Sequence, residues 1–138
     1  MELAGKYEMH DLGEACWFLA MEITCDQVAR TISIDQQLYI QKIIRQFWLD
    51  NVCPFSTPMA VNLKLPKLEG PAVDQQLYQS MLGSLMYVAI GTQPDIMYAI
   101  HYLSQHSIAP GEAHLNVMKH VYCYLIGTQD LGLVFHGD

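Results

Sequence analysis

Clustered carboxylates would be the first sign of phosphoryl-transfer chemistry, which uses acids to hold divalent metals. In this chain the acids are dispersed. Asp11 and Glu14 lie in a turn signal, Glu22 in an alternating stretch, and Asp35, Asp74 and Asp95 at the starts of helical patterns. A carboxylate at a helix start accepts orphaned backbone N–H groups, so the last three read as caps rather than metal ligands. Of the six histidines, His101 and His106 are five apart and His114 and His120 six apart, spacings that do not share a ligand on one helix face. Cys16, Cys25, Cys53 and Cys123 form no CxxC pair and read as free thiols. Ser84 follows Gly83 inside a helical pattern, whereas a hydrolase serine needs a strained strand-to-helix turn. No catalytic residue, metal ligand or cofactor is therefore expected. Phosphate contact is the chemistry that remains, and Lys42, Arg45, Lys64, Lys67 and Lys119 are its candidates. The aromatics, Trp17, Phe47, Trp48 and Tyr98 among them, lack interleaved basic residues and read mainly as core or interface groups.

Composition narrows the classes further. The 138 residues suffice for one domain's core, 51% are hydrophobic and only 15% are charged. That balance fits either a compact apolar domain or one whose apolar faces pack against a partner. The net charge of −7 argues against tight nucleic-acid binding, since such affinity comes largely from phosphate neutralisation. The first residues include Glu2, Lys6 and Glu8, with no secretory pattern, so an intracellular, non-secreted protein is expected. The uncharged run over residues 75–94 is interrupted by Gln76, Gln79, Ser80 and Ser84 and reads as a buried helix, not a membrane span.

Several elements must position these side chains. Asp11-Leu12-Gly13 is a turn signal, followed by alternation with Trp17, Leu19, Met21 and Ile23 on one side and Phe18, Ala20 and Glu22 on the other. A polar connection over residues 24–30 and a strand over 31–34 would complete a β-hairpin. Asp35 precedes a helix with Ile40, Ile43, Ile44 and Phe47 on one face, ending near Asp50. Pro54, Pro58, Pro66, Pro71 and Gly70 make residues 52–73 an extended connector. Asp74 opens a helix carrying Tyr78, Met81, Leu82, Leu85 and Val88, in which Gly83 costs stability unless another backbone approaches. Pro94-Asp95 starts a helix with Ile96, Ala99, Ile100 and Leu103 inside. Pro110-Gly111-Glu112 starts a last helix with Val117, Met118, Val121 and Leu125 inside and Gly127 as its stop, before a strand over 131–135. The fold class is α+β: an N-terminal β-hairpin and helix (residues 1–51), a long Pro-rich connector (52–73), and a three-helix part with a final short strand (74–138).

Six segments, in order, resemble copia-type LTR-retrotransposon reverse transcriptases. Residues 11–23 resemble DLGEAxxFLGIEI, residues 36–44 the QxxYIxxIL helix, and Ser56-Thr57-Pro58-Met59 with 62–65 the STPM…NxKL connector. Residues 78–87, with Gly83-Ser84, resemble YRxxVGSLxYL, Pro94-Asp95-Ile96 resembles the TRPDI helix start, and residues 123–128, with Gly127, resemble RYLKGT. The resemblance implies the end of the polymerase palm followed by thumb and connection elements, without the catalytic YxDD centre and without an RNase H domain. It implies a role in clamping an RNA–DNA primer–template, weakly here, with Mg²⁺ used only by the intact enzyme and no activity of this chain alone. Missing palm and RNase H parts, or a second copy through apolar faces, are the protein partners it suggests. A non-catalytic interaction module, domesticated or decayed, is the alternative. Five positions that are basic in the family pattern are Gln93, Gln105, His120, Cys123 and Ile126 here, which would weaken phosphate contact.

Overall fold

The structure, a computed structural model, describes residues 5–65 and 71–138. Pro66 and Gly70 of the connector, and the candidate contact Lys67, lie outside the described residues. The α+β expectation holds: among the described residues, four strands form one antiparallel sheet in the order β1-β2-β3-β4, accompanied by four α-helices.

The N-terminal alternation folds differently from a single strand. β1 (Trp17–Phe18) turns back at Leu19 and Ala20, both at positive φ (51° and 60°), into β2 (Met21–Asp26). Two successive positive φ values match the right-handed twist of a tight hairpin, so the local turn overrides the period-2 pattern. Trp17 consequently pairs with Glu22, and Leu19 leaves the ladder. Strand pairing also extends through Thr24, Cys25 and Asp26, so the connection to β3 (Thr31–Asp35) is shorter than the polar composition suggests. Asp26 closes that turn by accepting the Val28 and Ala29 N–H groups, each at 2.9 Å. β4 (Leu133–His136) joins the far side of β3.

Helix α1 (Gln37–Gln46) begins where Asp35 accepts the Gln37 N–H at 3.1 Å, and buries Ile40, Ile43 and Ile44. It stops earlier than expected. Trp48 sits at φ +55°, with its N–H on the Arg45 carbonyl (3.1 Å) and the Leu49 N–H on the Ile44 carbonyl (3.0 Å). Those two bonds form a Schellman cap, with Trp48 where glycine is usual.

Helix α2 (Gln75–Gly91) is capped by Asp74, which accepts from Gln76 and Leu77. Pro94–Ile96 forms a 3-10 turn leading into α3 (Met97–Ser104), and α4 (Glu112–Thr128) follows. One core joins all four helices: Ile40 and Ile43 meet Tyr78, Leu85, Ile96, Leu103, Met118 and Leu125. Gly127 lies in the last turn of α4, one residue before its end at Thr128 rather than just past it; a Cβ there would come within 3.1 Å of Pro54, so it admits the connector. Gly83 faces open space, with nothing within 4 Å of an added Cβ, so no close backbone approach offsets its cost.

The connector lies along α3 and α4. Phe55 stacks on His120 at 4.1 Å, its N–H reaches the Cys123 carbonyl (3.3 Å), and Leu65 N–H donates to the Tyr102 hydroxyl (2.7 Å). The sheet stands apart: among the described strand residues none is fully buried, and the core cluster contains none of them.

Candidate nucleic-acid interface

On α1 the core-facing isoleucines leave Lys42 and Arg45 on the opposite side, both exposed and one turn apart. Residues at that spacing are surface neighbours. Trp48 follows Arg45 at the same spacing, is 85% exposed, and is tied by its backbone to the Arg45 carbonyl. Lys42 and Arg45 therefore share the outer side of the helix, and the exposed Trp48 follows in its C-terminal cap. Arg45 also borders a cleft of about 240 Å³ between the ends of α1 and α4, lined by Gln41, Ile44, Asp50, Ile126 and Gln129. Trp48 did not stand out in the sequence, where it read as one core aromatic among many; its exposure follows from the Schellman turn.

The other described candidates do not join these residues. Lys119 is exposed on α4, and Lys64 is exposed on the connector, next to the Leu65 amide held by α3. The motif residues have mostly structural partners. Asp11 accepts the Gly13 N–H at 2.9 Å with Gly13 at φ +77°, making a local turn beside a fully solvated Leu12. Ser56 is exposed, and the Thr57 carbonyl accepts from His120 Nε2 at 2.9 Å. Pro58 and Asp95, far apart in sequence, line a common cleft of about 310 Å³. Asp95, next to Pro94, accepts the Tyr124 hydroxyl, and that bond pushes the Tyr124 phenol up to about 12. The Ser84 hydroxyl is spent on the Ser80 carbonyl at 3.0 Å.

The positions that differ from the basic family pattern occupy varied surroundings. Gln105 is exposed. Gln93 is buried and grips the end of α4, donating to the Thr128 carbonyl (2.7 Å) and accepting from its hydroxyl (3.2 Å). His120 packs on Phe55, Ile126 is half-buried, and Cys123 is buried, with desolvation and then the Cys53 thiol holding its pKa up. Four of these five positions thus serve packing in this chain. His106 and His114, which sequence spacing did not connect, stack at 4.0 Å, and His114 Nδ1 accepts the Gly111 N–H at the start of α4. Among the described residues no three His, Cys, Asp or Glu side chains converge on a metal-sized site, and no helix is long and apolar enough to cross a membrane.

No family model and no solved structure matches the chain. Curated proteins do. It is 34% identical, over 99% of its length, to the retrovirus-related Pol polyprotein from transposon TNT 1-94 of Nicotiana tabacum. It is 33% identical, over 95% of its length, to that from transposon RE1 of Arabidopsis thaliana. It spans only 11% and 9% of those two polyproteins. An uncharacterised mitochondrial protein of Arabidopsis thaliana is 29% identical over 98% of the chain, which covers 55% of it. The chain is homologous to one segment of the copia-type retrotransposon Pol polyproteins.

Proposed function

We propose that this chain is a non-catalytic, duplex-holding part of an RNA-directed DNA polymerase, engaging an RNA–DNA primer–template weakly through Lys42, Arg45 and Trp48. The observation that supports this reading is the outer side of α1, where two exposed cations one turn apart precede an exposed tryptophan in the helix cap. Cations neutralise phosphates, and an exposed aromatic face stacks on a base or sugar at a strand end. With a net charge of −7 and only these two cations on the helix, affinity is low and the log–log salt slope is shallow, about 2. Lys119 and Lys64 add electrostatic attraction from other surfaces.

Fluorescence anisotropy of a labelled RNA–DNA primer–template across a salt series tests the reading. Binding at low salt is expected. The double variant Lys42→Ala, Arg45→Ala should flatten the log–log salt slope by about 2, roughly one per lost phosphate contact. No binding at low salt, or an unchanged slope in the variant, overturns it. The proposed lack of polymerase activity is tested separately, by primer extension with magnesium or manganese; any extension by the purified chain defeats it.

A second reading, an interaction module, draws on the sheet. Ile32 and Phe135 are cross-strand partners that remain 45% and 54% exposed, leaving part of an apolar face uncovered. The rest of the polymerase is the occupant that this homology suggests.

A further inference from the structure

The connector meets α4 through a short stretch that brings one cysteine to another. Phe55 stacks on His120 at 4.1 Å, its N–H reaches the Cys123 carbonyl at 3.3 Å, and a Cβ on Gly127 would come within 3.1 Å of Pro54. Residues 120, 123 and 127 are spaced by three and four, so these contacts fall on one side of α4. Cys53 immediately precedes the touching residues, and Cys123 sits amid the residues they touch. Burial raises the Cys123 pKa, and the charge of the neighbouring Cys53 thiol raises it further, so the two sulfurs sense each other.

The two thiols differ in access. All four cysteines are free, and Cys53 is exposed whereas Cys123 is buried. Thiolates are the attacking species in disulfide exchange, and burial disfavours the Cys123 thiolate. Cys53 is therefore the sulfur that meets a reagent from solvent, and Cys123 the one positioned to follow. Cys123 also stands where the family pattern is basic, so the motif itself does not supply the pair.

We propose that Cys53 and Cys123 form a redox-responsive pair, in which Cys53 reacts first with a small disulfide oxidant of the glutathione class and Cys123 then closes an intramolecular disulfide that pins the connector to α4. In the first step Cys53 gives its proton to water and its thiolate attacks one sulfur of glutathione disulfide. That S–S bond breaks, one glutathione leaves as thiolate, and a mixed disulfide remains on Cys53. In the second step Cys123 loses its proton, attacks the Cys53 sulfur and displaces the second glutathione. Two protein thiols are thereby oxidised and one glutathione disulfide is reduced, a two-electron exchange. Residues 53–55 belong to no helix or strand, so this segment takes up the shift that disulfide geometry requires. The closed loop contains α2 and α3, and the bridge therefore restricts the unfolded chain as well as the connector.

The test equilibrates the full wild-type chain in glutathione buffers of stepped oxidised-to-reduced ratio, blocks the remaining thiols and maps the digested peptides by mass spectrometry. A Cys53–Cys123 cross-linked peptide from monomeric chain is expected in oxidising buffer and its loss in reducing buffer. The oxidised chain should melt about 10 °C higher than the reduced one, a difference that Cys53→Ser abolishes. Cys123→Ser should retain glutathione on Cys53, whereas Cys53→Ser should leave Cys123 unmodified. If Cys123→Ser fails to fold, the wild-type map and the Cys53→Ser variant, altered at an exposed position, still decide. No Cys53–Cys123 linkage at any ratio overturns the proposal, as does linkage only to Cys16, to Cys25 or between chains. Glutathione on Cys123 in Cys53→Ser overturns the order of attack, and an oxidised chain that melts no higher overturns the pinning.

Discussion

Ala20, Trp48 and Gly83 show residue identity at odds with local backbone or space. Ala20 and Trp48 hold φ values of +60° and +55°, where an L side chain is strained by about 1 kcal/mol. Ala20 occupies the position of a glycine in the family pattern, and the hairpin turn explains why glycine suits it. Ala20→Gly is expected to stabilise the chain by about 0.5–1 kcal/mol, read as a raised denaturation midpoint at constant slope. Gly83→Ala should give about 1 kcal/mol by the opposite route, since the position is helical and its surroundings are open. Neither gain appearing would mean that the turn or the helix is not formed as described. Trp48→Gly separates stability from function. It should relieve the cap strain, raising stability by about 1 kcal/mol, while weakening primer–template binding severalfold. Unchanged binding would remove Trp48 from the proposed interface.

At the scale of elements, tyrosine hydroxyls tie the helices together. Tyr78 of α2 donates to the Leu103 carbonyl of α3, and Tyr122 of α4 donates to the Met81 carbonyl of α2, both at 2.9 Å. Burial pushes the Tyr78 phenol up to about 12 and raises Tyr122 as well, while the hydrogen bond to Asp95 raises Tyr124 to about 12. An unfolded chain releases these protons near the ordinary value of 10.0. The folded chain therefore binds more protons above that value, and stability falls with rising pH. The contribution is fully present below about pH 10 and is lost as the pH climbs toward about 12. Denaturant titrations at stepped alkaline pH should show this decline, and Tyr78→Phe should make it shallower. A decline of equal steepness in the variant would exclude Tyr78 as a source.

The whole molecule divides into a well-packed helical core and a sheet that contributes little to it. Leu85, Val88, Leu103, Val121 and Leu125 are fully enclosed, whereas the strands keep at least partial exposure along their length. Local opening costs least where few apolar contacts must break. Amide hydrogen exchange should therefore be slowest in α2 and α4, intermediate in β2 and β3, and fastest in β1 and β4. Uniform protection would mean that the sheet and core open as one unit. Both proposed sites lie on the helical part: Lys42 and Arg45 are on the outside of α1, and the Cys53–Cys123 pair joins the connector to α4.

Much of this was legible in the sequence because it depends on near neighbours along the chain. The stripes Ile40-Ile43-Ile44 and Tyr78-Met81-Leu82-Leu85 put apolar groups on one helix face, and Asp35 and Asp74 marked helix starts through bonds spanning only two or three residues. Ordered motifs also carried the homology to copia-type Pol polyproteins, because homology is itself a property of sequence. Tertiary structure decided what depends on groups far apart in the chain. The approach of Pro54 made Gly127 a packing residue, Thr128 gave Gln93 an internal partner, and His114 met His106 across a helix break. It also decided which aromatic stayed outside, since Trp48 is exposed by an αL cap that tertiary packing of Leu49 holds in place. Side-chain chemistry and periodicity set the elements; only their three-dimensional packing set which surfaces were left to bind.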